Sequence, residues 1–275
     1  MAERSILITG CSSGIGLASA RAMRDRGWRV FATARERDDL DRLLVDERVE
    51  PVHLELGDSA AIAACAESVL GKTGGRLDAL FNNAAYGQPG AIEDVSVEAL
   101  RAQFEVNVFG THDLTRRLLP AMLKHEHGRI VQCSSVLGIL AAPYRGAYCA
   151  SKFALEALSD VMRMELAGTG ISVSTIEPGP IATRFIDHSI AAAHEWIDIE
   201  NSRHSGRYKS MLEALARGGK QTFKLQPEAV AAKLVHAVES ARPKAHYYVT
   251  VPTYMAVVAR RAMPIRMIDW VASRS

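Results

Sequence analysis

The sequence contains few of the features that mark secreted, metal-binding or nucleic-acid-binding proteins. Its 275 residues include only four cysteines, Cys11, Cys65, Cys133 and Cys149, with no CxxC spacing and no disulfide framework, so we expect reduced thiols. The nine histidines form no HxxH or HExxH pattern, and we expect no metal site. The net charge of +2 gives no argument for a nucleic-acid partner, which usually requires a clustered basic face.

Long hydrophobic runs are also absent from the sequence. The most apolar segment, residues 247–259, is shorter than the roughly 18–20 residues of a membrane-spanning helix, and Pro252 interrupts it. The N-terminus leads into a strand-like run without the apolar segment of a signal peptide. We therefore expect a cytoplasmic protein without a membrane span.

The C-terminal residues 257–275 leave two interpretations open. They mix Arg260, Arg261 and Arg266 with methionine, isoleucine and tryptophan, a composition that is also found in amphipathic helices on membrane surfaces. Because Pro264 breaks the helical period, packing against the body of the protein or against another subunit is favoured over membrane contact.

What the chain does contain is a regular alternation of short apolar runs and helical patterns. The apolar runs are nearly continuous, as in strands that are covered on both faces. The predicted strands are 5–9, 29–34, 51–56, 77–83, 128–135, 171–178 and 246–251, and the predicted helices are 14–26, 36–46, 59–72, 97–124, 147–167 and 227–240. This alternation predicts an α/β protein with a doubly wound parallel sheet flanked by helices, in a single domain over 1–275.

Residues 184–226 interrupt this alternation. They combine polar patches with Phe185, Ile186, Ile190 and Trp196. We interpret the segment as an excursion over the carboxyl edge of the sheet, where ligands bind in open α/β folds, and therefore as a substrate lid. A mobile connection without a ligand role is the alternative.

A glycine-rich turn follows the first predicted strand and opens the first predicted helix. In the stretch ITGCSSGIG, Gly10, Gly14 and Gly16 have the spacing GxxxGxG. Glycines permit a tight turn and close approach of the backbone, and the N-terminus of a helix binds phosphate groups. The turn predicts a nucleotide site, which a dinucleotide or S-adenosylmethionine could occupy.

The end of the second predicted strand indicates which dinucleotide is bound. NAD-binding proteins usually have an acidic residue there, whereas a 2′-phosphate requires arginine. Here Arg35 ends the strand, and Asp38 and Asp39 come only later. This favours NADP(H) over NAD(H), although Arg35 could instead be a solvated surface residue, as we expect for Arg37 and Arg42.

Several motifs, together with the order in which they occur, resemble those of the short-chain dehydrogenase/reductase family. They are TGCSSGIG at 9–16, NNAA at 82–85, Asn107 in FEVNVFG, Ser135, YCASK at 148–152 and EPGPIATRF at 177–185. Within that family the chain is most similar to bacterial NADP-dependent aldehyde reductases and to the hydroxysteroid and retinol dehydrogenases. The resemblance implies a Rossmann-like fold and hydride transfer between a nicotinamide and a carbonyl or alcohol carbon.

The resemblance also implies a catalytic tetrad of Asn107, Ser135, Tyr148 and Lys152. Tyr148 would donate the proton, and an ammonium group one helical turn away, that of Lys152, would lower the pKa of its phenol from about 10. Ser135 would hydrogen-bond the substrate oxygen, and Asn107 would hold a water that relays protons to Lys152. Ser134 points to the opposite face of its strand and is expected to be a packing residue.

The cofactor-binding residues implied by the resemblance extend along the whole chain. They are Gly10, Ser12, Ser13, Gly14, Ile15, Gly16, Arg35, Glu55, Leu56, Asn83, Tyr148, Lys152, Pro178, Gly179, Ile181 and Thr183. Ser12 and Arg35 would contact the 2′-phosphate. Two positions depart from the family pattern, because Ala85 replaces a glycine and Glu55 replaces an aspartate near the adenine.

The function implied is oxidation or reduction of a small hydrophobic carbonyl or alcohol substrate, an aldehyde, ketone, retinoid or steroid. A catalytically silent NADP(H) sensor of the same fold and an S-adenosylmethionine methyltransferase are the alternatives. The tetrad argues against both, since neither needs a tuned phenol.

Self-association is expected from the composition of the helix at 147–167. Its apolar residues occupy more than the single stripe that one sheet would cover. We therefore expect a homodimer or a tetramer.

Overall fold

The computed structural model describes residues 3–217 and 222–273, and a parallel sheet of seven strands forms its centre. The strands are β1 Ser5–Ile8, β2 Arg29–Ala34, β3 Glu50–His53, β4 Ala79–Asn82, β5 Gly128–Cys133, β6 Ile171–Glu177 and β7 His246–Tyr248. Their order in the sheet is β3-β2-β1-β4-β5-β6-β7, and every neighbouring pair is parallel. The chain reverses direction across the sheet between β3 and β4, which confirms the predicted Rossmann-like, doubly wound fold.

Helices cover both faces of this sheet. They are α1 Gly14–Arg24, α2 Arg37–Val45, α3 Ser59–Lys72, α4 Val97–Phe104, α5 Thr111–Lys124, α6 Gly146–Glu165, α7 Phe185–Trp196, α8 Ser205–Ala216, α9 Glu228–Glu239, α10 Val251–Ala262 and α11 Ile265–Ala272. A π-helical segment at Glu105–Gly110 joins α4 to α5, and a short 3₁₀ helix at Val136–Gly138 follows β5.

Two core layers result from the alternation of side chains along the strands. Ile6 and Ile8 of β1 pack on one face of the sheet in a cluster that includes residues of α1 and α9. Leu7 points to the other face and packs in a cluster with residues of α3 and α5. All three side chains are fully buried. Because both faces are covered, the strands are continuously apolar, as the sequence pattern indicated.

Several predicted elements differ from the structure in their extent, and for two of them the reason is clear. The helix predicted over 97–124 is divided by the π-helical segment, where the hydrogen bonds span one residue more than in an α-helix. The strand predicted over 246–251 ends at Tyr248, because Pro252 occupies the first turn of α10 and fixes a helical start there.

The segment predicted as an excursion over the sheet, 184–226, contains α7 and α8. Residues 218–221 of that segment lie outside the described residues. After α9 and β7 the chain ends in α10 and α11, which are separated at Met263 and Pro264. Within 3–217 and 222–273, no helix is long and apolar enough to cross a membrane.

Candidate active site

A cavity of about 1070 Å³ lies at the carboxyl ends of the central strands. The loops after β1 to β6 form one side of it, and α7 and α8 form the other. Of the residues that the sequence predicts for the site, the cavity is lined by Gly10, Ser12, Ser13, Gly14, Ile15, Arg35, Glu55, Leu56, Asn83, Ser135, Tyr148, Lys152, Pro178, Gly179, Ile181 and Thr183. Gly16 and Asn107 are not among the lining residues.

The glycine turn between β1 and α1 has a backbone that side chains would disturb. Gly10 and Gly14 have φ values of +71° and +56°, which L-amino acids with a side chain rarely adopt. A Cβ atom at Gly16 would lie 2.0 Å from the carbonyl oxygen of Gly10. Gly16 thus acts by allowing α1 to approach the turn closely, which explains why it does not line the cavity.

The N-terminus of α1 is suited to an anion. Ser13 occupies the N-cap position without forming a capping hydrogen bond through its side chain, and the first turn contains no acidic residue. The first-turn N–H groups therefore have no capping side chain, and Gly14 and Ile15 of this turn line the cavity, where the helix dipole favours negative charge. The residues present fit the pyrophosphate of a dinucleotide.

Asn83 braces this turn from the neighbouring strand. Its side-chain amide donates hydrogen bonds to the carbonyl oxygens of Thr9 at 2.9 Å and Gly10 at 3.3 Å. Four of the described residues other than glycine have a positive φ, and Ala85 is not one of them. The backbone after β4 therefore accommodates the alanine that replaces a glycine of the family pattern.

Arg35 and Glu55 come together at the end of the cavity near β2 and β3. The guanidinium Nη1 of Arg35 lies 3.6 Å from Glu55 Oε2, and the two side chains are 61% and 36% exposed. Glu55 also accepts a hydrogen bond from the Gly57 N–H at 3.0 Å. Arg35 is therefore an accessible cation that already has an acidic neighbour, a contact that the sequence did not predict.

The expectation that Arg42 is only a solvated surface residue is wrong. Its guanidinium donates to the carbonyl oxygen of Ser12 at 2.6 Å and to Asp39 at 2.5 Å. Arg42 thus ties α2 to the glycine turn. No local sequence pattern indicates the bond to Ser12, because it joins segments that are 30 residues apart in the chain.

Tyr148 and Lys152 lie one turn apart on α6, and Ser135 faces them from the end of β5. Tyr148 and Lys152 are 9% and 3% exposed. The Lys152 ammonium donates to the Cys133 carbonyl oxygen at 2.7 Å and lies 5.7 Å from the centre of the Tyr148 ring. The Ser135 hydroxyl accepts a hydrogen bond from the Leu137 N–H at 3.1 Å and lies near enough to Tyr148 to lower the pKa of its phenol. Ser134 is buried but is also among the residues that line the cavity, so its interpretation as a packing residue stays a prediction.

Burial sets the protonation of this pair. It raises the pKa of the Tyr148 phenol, and the nearby Ser135 hydroxyl only partly opposes this effect. Burial likewise lowers the pKa of Lys152, opposed by the charge of Glu156. Among the protein's own groups, Lys152 therefore does not produce the lowered pKa of Tyr148 that its spacing predicted, because desolvation is the larger effect.

Asn107 lies in the π-helical segment behind Tyr86. It is 1% exposed, donates to the Tyr86 carbonyl oxygen at 2.9 Å and to Ser151 Oγ at 3.2 Å, and accepts from the Tyr86 N–H. Ser151 precedes Lys152 on α6. Asn107 is thus connected to α6 through Ser151, and the structure shows no direct contact between Asn107 and the cavity.

The cavity wall includes a residue of the predicted lid and several residues that were not predicted. The Phe185 ring lies against Tyr148, with ring centres 5.4 Å apart. Acidic and basic side chains outside the predicted set also line the cavity, namely Glu105, Arg145, His188, Glu195, Arg207 and Lys224. On α8 the lining residues Arg207, Met211, Ala214 and Leu215 follow the period of one helical face, a weak signal that mixes polar and apolar types.

Comparison with known proteins agrees with this geometry. The family model of the short chain dehydrogenases matches residues 4–193. The chain belongs to the short-chain dehydrogenase/reductase family, as the motifs indicated. This membership leaves the methyltransferase hypothesis without support.

Similar proteins span almost the whole chain. An Escherichia coli (strain K12) protein described as the uncharacterized oxidoreductase YbbO is 43% identical over 267 residues, which cover 97% of this chain and 93% of the relative. The NADPH-dependent 3-dehydrocapnine reductase of Ornithobacterium rhinotracheale is 32% identical and covers 97% and 95%. A solved short-chain dehydrogenase from Streptomyces avermitilis superposes with a TM-score of 0.80 at 29% identity, covering 98% and 97%.

Proposed function

We propose that this oxidoreductase transfers a hydride between NADP(H) and the carbonyl or alcohol carbon of a small hydrophobic aldehyde, ketone, retinoid or steroid. The observation that carries the proposal is the continuity of one cavity from the glycine turn to Tyr148. An anion-binding helix N-terminus at one end and a phenol beside an ammonium at the other are the two parts that such a reaction needs.

The residues of the turn and of Pro178–Thr183 would hold the dinucleotide in this cavity. The N-terminus of α1 would bind the pyrophosphate, Asn83 would lie beside the ribose, and Ile181 and Thr183 would face the carboxamide. Glu55 and Leu56 line the cavity and would contact the adenine. The bound nicotinamide supplies or accepts the hydride.

The proton is moved by the protein's own side chains. During reduction, Ser135 donates a hydrogen bond to the substrate oxygen, and Tyr148 gives that oxygen its proton as negative charge develops on it. Burial raises the pKa of Tyr148, so its phenol is protonated at neutral pH, as a proton donor must be. The Lys152 ammonium stabilises the phenolate that remains, and Asn107 acts through the backbone of Tyr86 and through Ser151 on α6.

NADP(H) is preferred over NAD(H) in this proposal because of Arg35. The end of β2 carries Arg35 and not the carboxylate with which NAD-binding proteins accept a ribose hydroxyl, and Arg35 and Ser12 both line the cavity. A relative that covers nearly all of this chain is named as NADPH-dependent, which supports the same preference.

The segment 184–226 would act as a substrate lid. Phe185, Ile186 and Trp196 of α7 and Met211 of α8 line the cavity opposite the catalytic group, while Ile190 of the expected set is not a lining residue. Apolar side chains in that place favour a hydrophobic substrate.

We also propose a cytoplasmic location and a homo-oligomeric state. The four cysteines are free and buried, as is usual for proteins of a reducing compartment. On α6, Leu158, Val161 and Met164 are 39%, 46% and 62% exposed, so the apolar excess that the sequence shows lies on the surface of the protomer.

The proposal is tested by steady-state oxidation of NADPH and NADH with a panel of aldehydes, ketones, retinal and steroids. We expect turnover with at least one hydrophobic carbonyl and a higher kcat/KM with NADPH. Tight binding of NADPH without turnover of any compound would favour the silent sensor. Preference for NADH would show that the interpretation of Arg35 is wrong.

A further inference from the structure

The C-terminal helix α10 presents an apolar stripe to the outside of the protein. Val251, Tyr254, Met255 and Val258 are 51%, 51%, 62% and 64% exposed. Their spacing of i, i+3, i+4 and i+7 places them on one face of the helix. The opposite face is anchored in the protein, since Thr253 and Ala256 are 0% and 4% exposed. An amphipathic surface helix normally has its apolar face inward, and α10 has apolar residues on the outward face as well.

Helix α11 continues this feature. Met267, Trp270 and Val271 have the spacing i, i+3 and i+4 and are 53%, 58% and 51% exposed, while Ile268 is the buried residue of the helix. We use the name C-terminal face for these seven exposed apolar residues, four on α10 and three on α11. The sequence favoured packing against the body of the protein or against another subunit. Packing against the body does not account for these exposed residues.

The charges beside the C-terminal face are mainly positive. The described part of α10 and α11 carries Arg260, Arg261 and Arg266 against one acidic residue, Asp269. All three arginines are exposed, and none forms an ion pair with another described residue. Long cationic side chains that flank apolar residues can extend toward lipid phosphates while their stems contact the apolar region.

We propose that the C-terminal face docks the protein on the surface of a bilayer that contains anionic lipids. Charge decides between this occupant and a second copy of the chain. Two copies of the face would bring six arginines together against two aspartates, whereas an anionic bilayer surface attracts each arginine. The exposed apolar residues would enter the boundary between head groups and acyl chains.

The position of α10 connects this face to the cavity. Thr250 and Thr253, at the start of the helix, lie so close to Gly179 that a Cβ atom there would be 2.1 Å and 3.1 Å from their hydroxyl oxygens. Gly179 lines the cavity. Docking does not depend on the proposed function. If that function holds, docking places the cavity at a membrane, where hydrophobic substrates dissolve.

The experiment is co-sedimentation of the full-length protein with vesicles of phosphatidylcholine alone and with vesicles in which one quarter is phosphatidylglycerol. We expect binding to the anionic vesicles, weaker binding in high salt, and little binding to phosphatidylcholine. The double variant Met255→Glu/Val258→Glu should lose at least tenfold in partitioning, and Arg260→Gln/Arg261→Gln a similar factor. Val45→Glu, on an exposed apolar residue of α2 that is 71% exposed, is the matched control and should bind as the wild type does.

Trp270 provides a second measurement on the unaltered chain. Lipids brominated on the acyl chain should quench its fluorescence when anionic vesicles are added, and Trp270→Phe should remove that quenching, because Trp28 is buried and Trp196 lies at the cavity. Absence of pelleting together with absence of quenching would overturn the proposal. It would also be overturned if the Met255→Glu/Val258→Glu variant pelleted like the wild type but had a smaller mass by light scattering, since the face would then bind a second copy.

Discussion

At the scale of single residues, the site consists of groups whose chemistry depends on burial. Tyr148 and Lys152 were predictable, because a phenol and an ammonium at i and i+4 follow a glycine turn and a set of ordered motifs. Their protonation was not predictable, since the desolvation that raises the pKa of Tyr148 comes from residues distributed over the whole chain. The same holds for the contact between Arg35 and Glu55, which joins the ends of two strands.

Arg35 and Glu55 provide a prediction about cofactor affinity. Arg35→Gln should weaken NADPH binding roughly 10- to 100-fold, since a charge-assisted hydrogen bond to the 2′-phosphate contributes about 1.5–3 kcal/mol. NADH binding should change by about twofold or less. Glu55→Gln is the matched variant, and it should strengthen NADPH binding because it removes the carboxylate 3.6 Å from the guanidinium.

Titration calorimetry with both nucleotides measures these effects. If Arg35→Gln lost NADPH and NADH affinity by the same factor, the assignment of Arg35 to the 2′-phosphate would be contradicted. Arg35 would then contact a part of the cofactor that NADPH and NADH share.

A buried carboxylate behind the catalytic lysine predicts a dependence of stability on pH. Burial, together with the charge of Glu177, raises the pKa of Glu156 to about 7. Ser134 and His246 oppose this effect, and Asp160 adds to it. The folded state then holds a proton that the unfolded state releases near pH 4.5. The contribution of Glu156 to folding stability is therefore fully present below pH 4.5 and is lost as pH rises through 7.

The free energy of unfolding of Glu156→Gln should therefore increase relative to that of the wild type as the pH rises from 5 to 8, by on the order of 3 kcal/mol at most. Urea unfolding at the two pH values measures the difference. Glu213→Gln, at a carboxylate whose side chain is 68% exposed, is the control and should show little change. Equal differences for the two variants at both pH values would refute a raised pKa of Glu156.

At the scale of elements, local sequence patterns predicted the type of most strands and helices but missed irregular joints. The π-helical segment at Glu105–Gly110 contains residues that are compatible with an α-helix, so the pattern over 97–124 indicated one continuous helix. The segment matters because it carries Asn107 toward Tyr86 and Ser151. Its position is set by packing between α4, α5 and α6, which periodicity does not encode.

The contact between α1 and the end of β1 gives a prediction at this scale. Gly16→Ala should abolish cofactor binding or prevent folding, because the Cβ atom would lie 2.0 Å from the Gly10 carbonyl oxygen and 2.8 Å from Asn83. Gly71→Ala in α3 is the matched variant. Its Cβ atom has no neighbour within 4 Å, and it should stabilise the protein by roughly 0.5–1 kcal/mol.

Thermal unfolding and NADPH titration of the two variants make this comparison. Normal NADPH affinity in a folded Gly16→Ala protein would show that close approach of α1 to the turn is unnecessary.

At the scale of the whole molecule, the alternation of elements predicted the parallel sheet, and the family motifs indicated where its ligand crevice lies. The fate of the surface was less predictable. The sequence showed that α6 has more apolar residues than one sheet covers. The structure shows further exposed apolar residues that the sequence pattern did not connect to α6, namely Val97 and Leu100 of α4 and Phe109. Which exposed apolar residues belong to one surface depends on the packing of α4 against α6.

The oligomeric state can be tested on this surface. Val161→Glu/Met164→Glu should convert the expected dimer or tetramer into a smaller species, because carboxylates would be buried without partners in an apolar interface. Light scattering coupled to size-exclusion chromatography measures the mass, with Val45→Glu as the control. A monomeric wild-type protein at micromolar concentration would contradict the prediction.

The central claim is that Tyr148 gives the substrate oxygen its proton in a reaction that consumes NADPH. The most direct measurement is single-turnover oxidation of bound NADPH by the wild type and by Tyr148→Phe, with the best carbonyl substrate and with NADPH affinity determined for both. We predict that the variant binds NADPH within about twofold of the wild type and reacts roughly 10²- to 10⁴-fold more slowly, since it has lost a general acid and kept the cavity. A variant that reacts within tenfold of the wild type would contradict the claim.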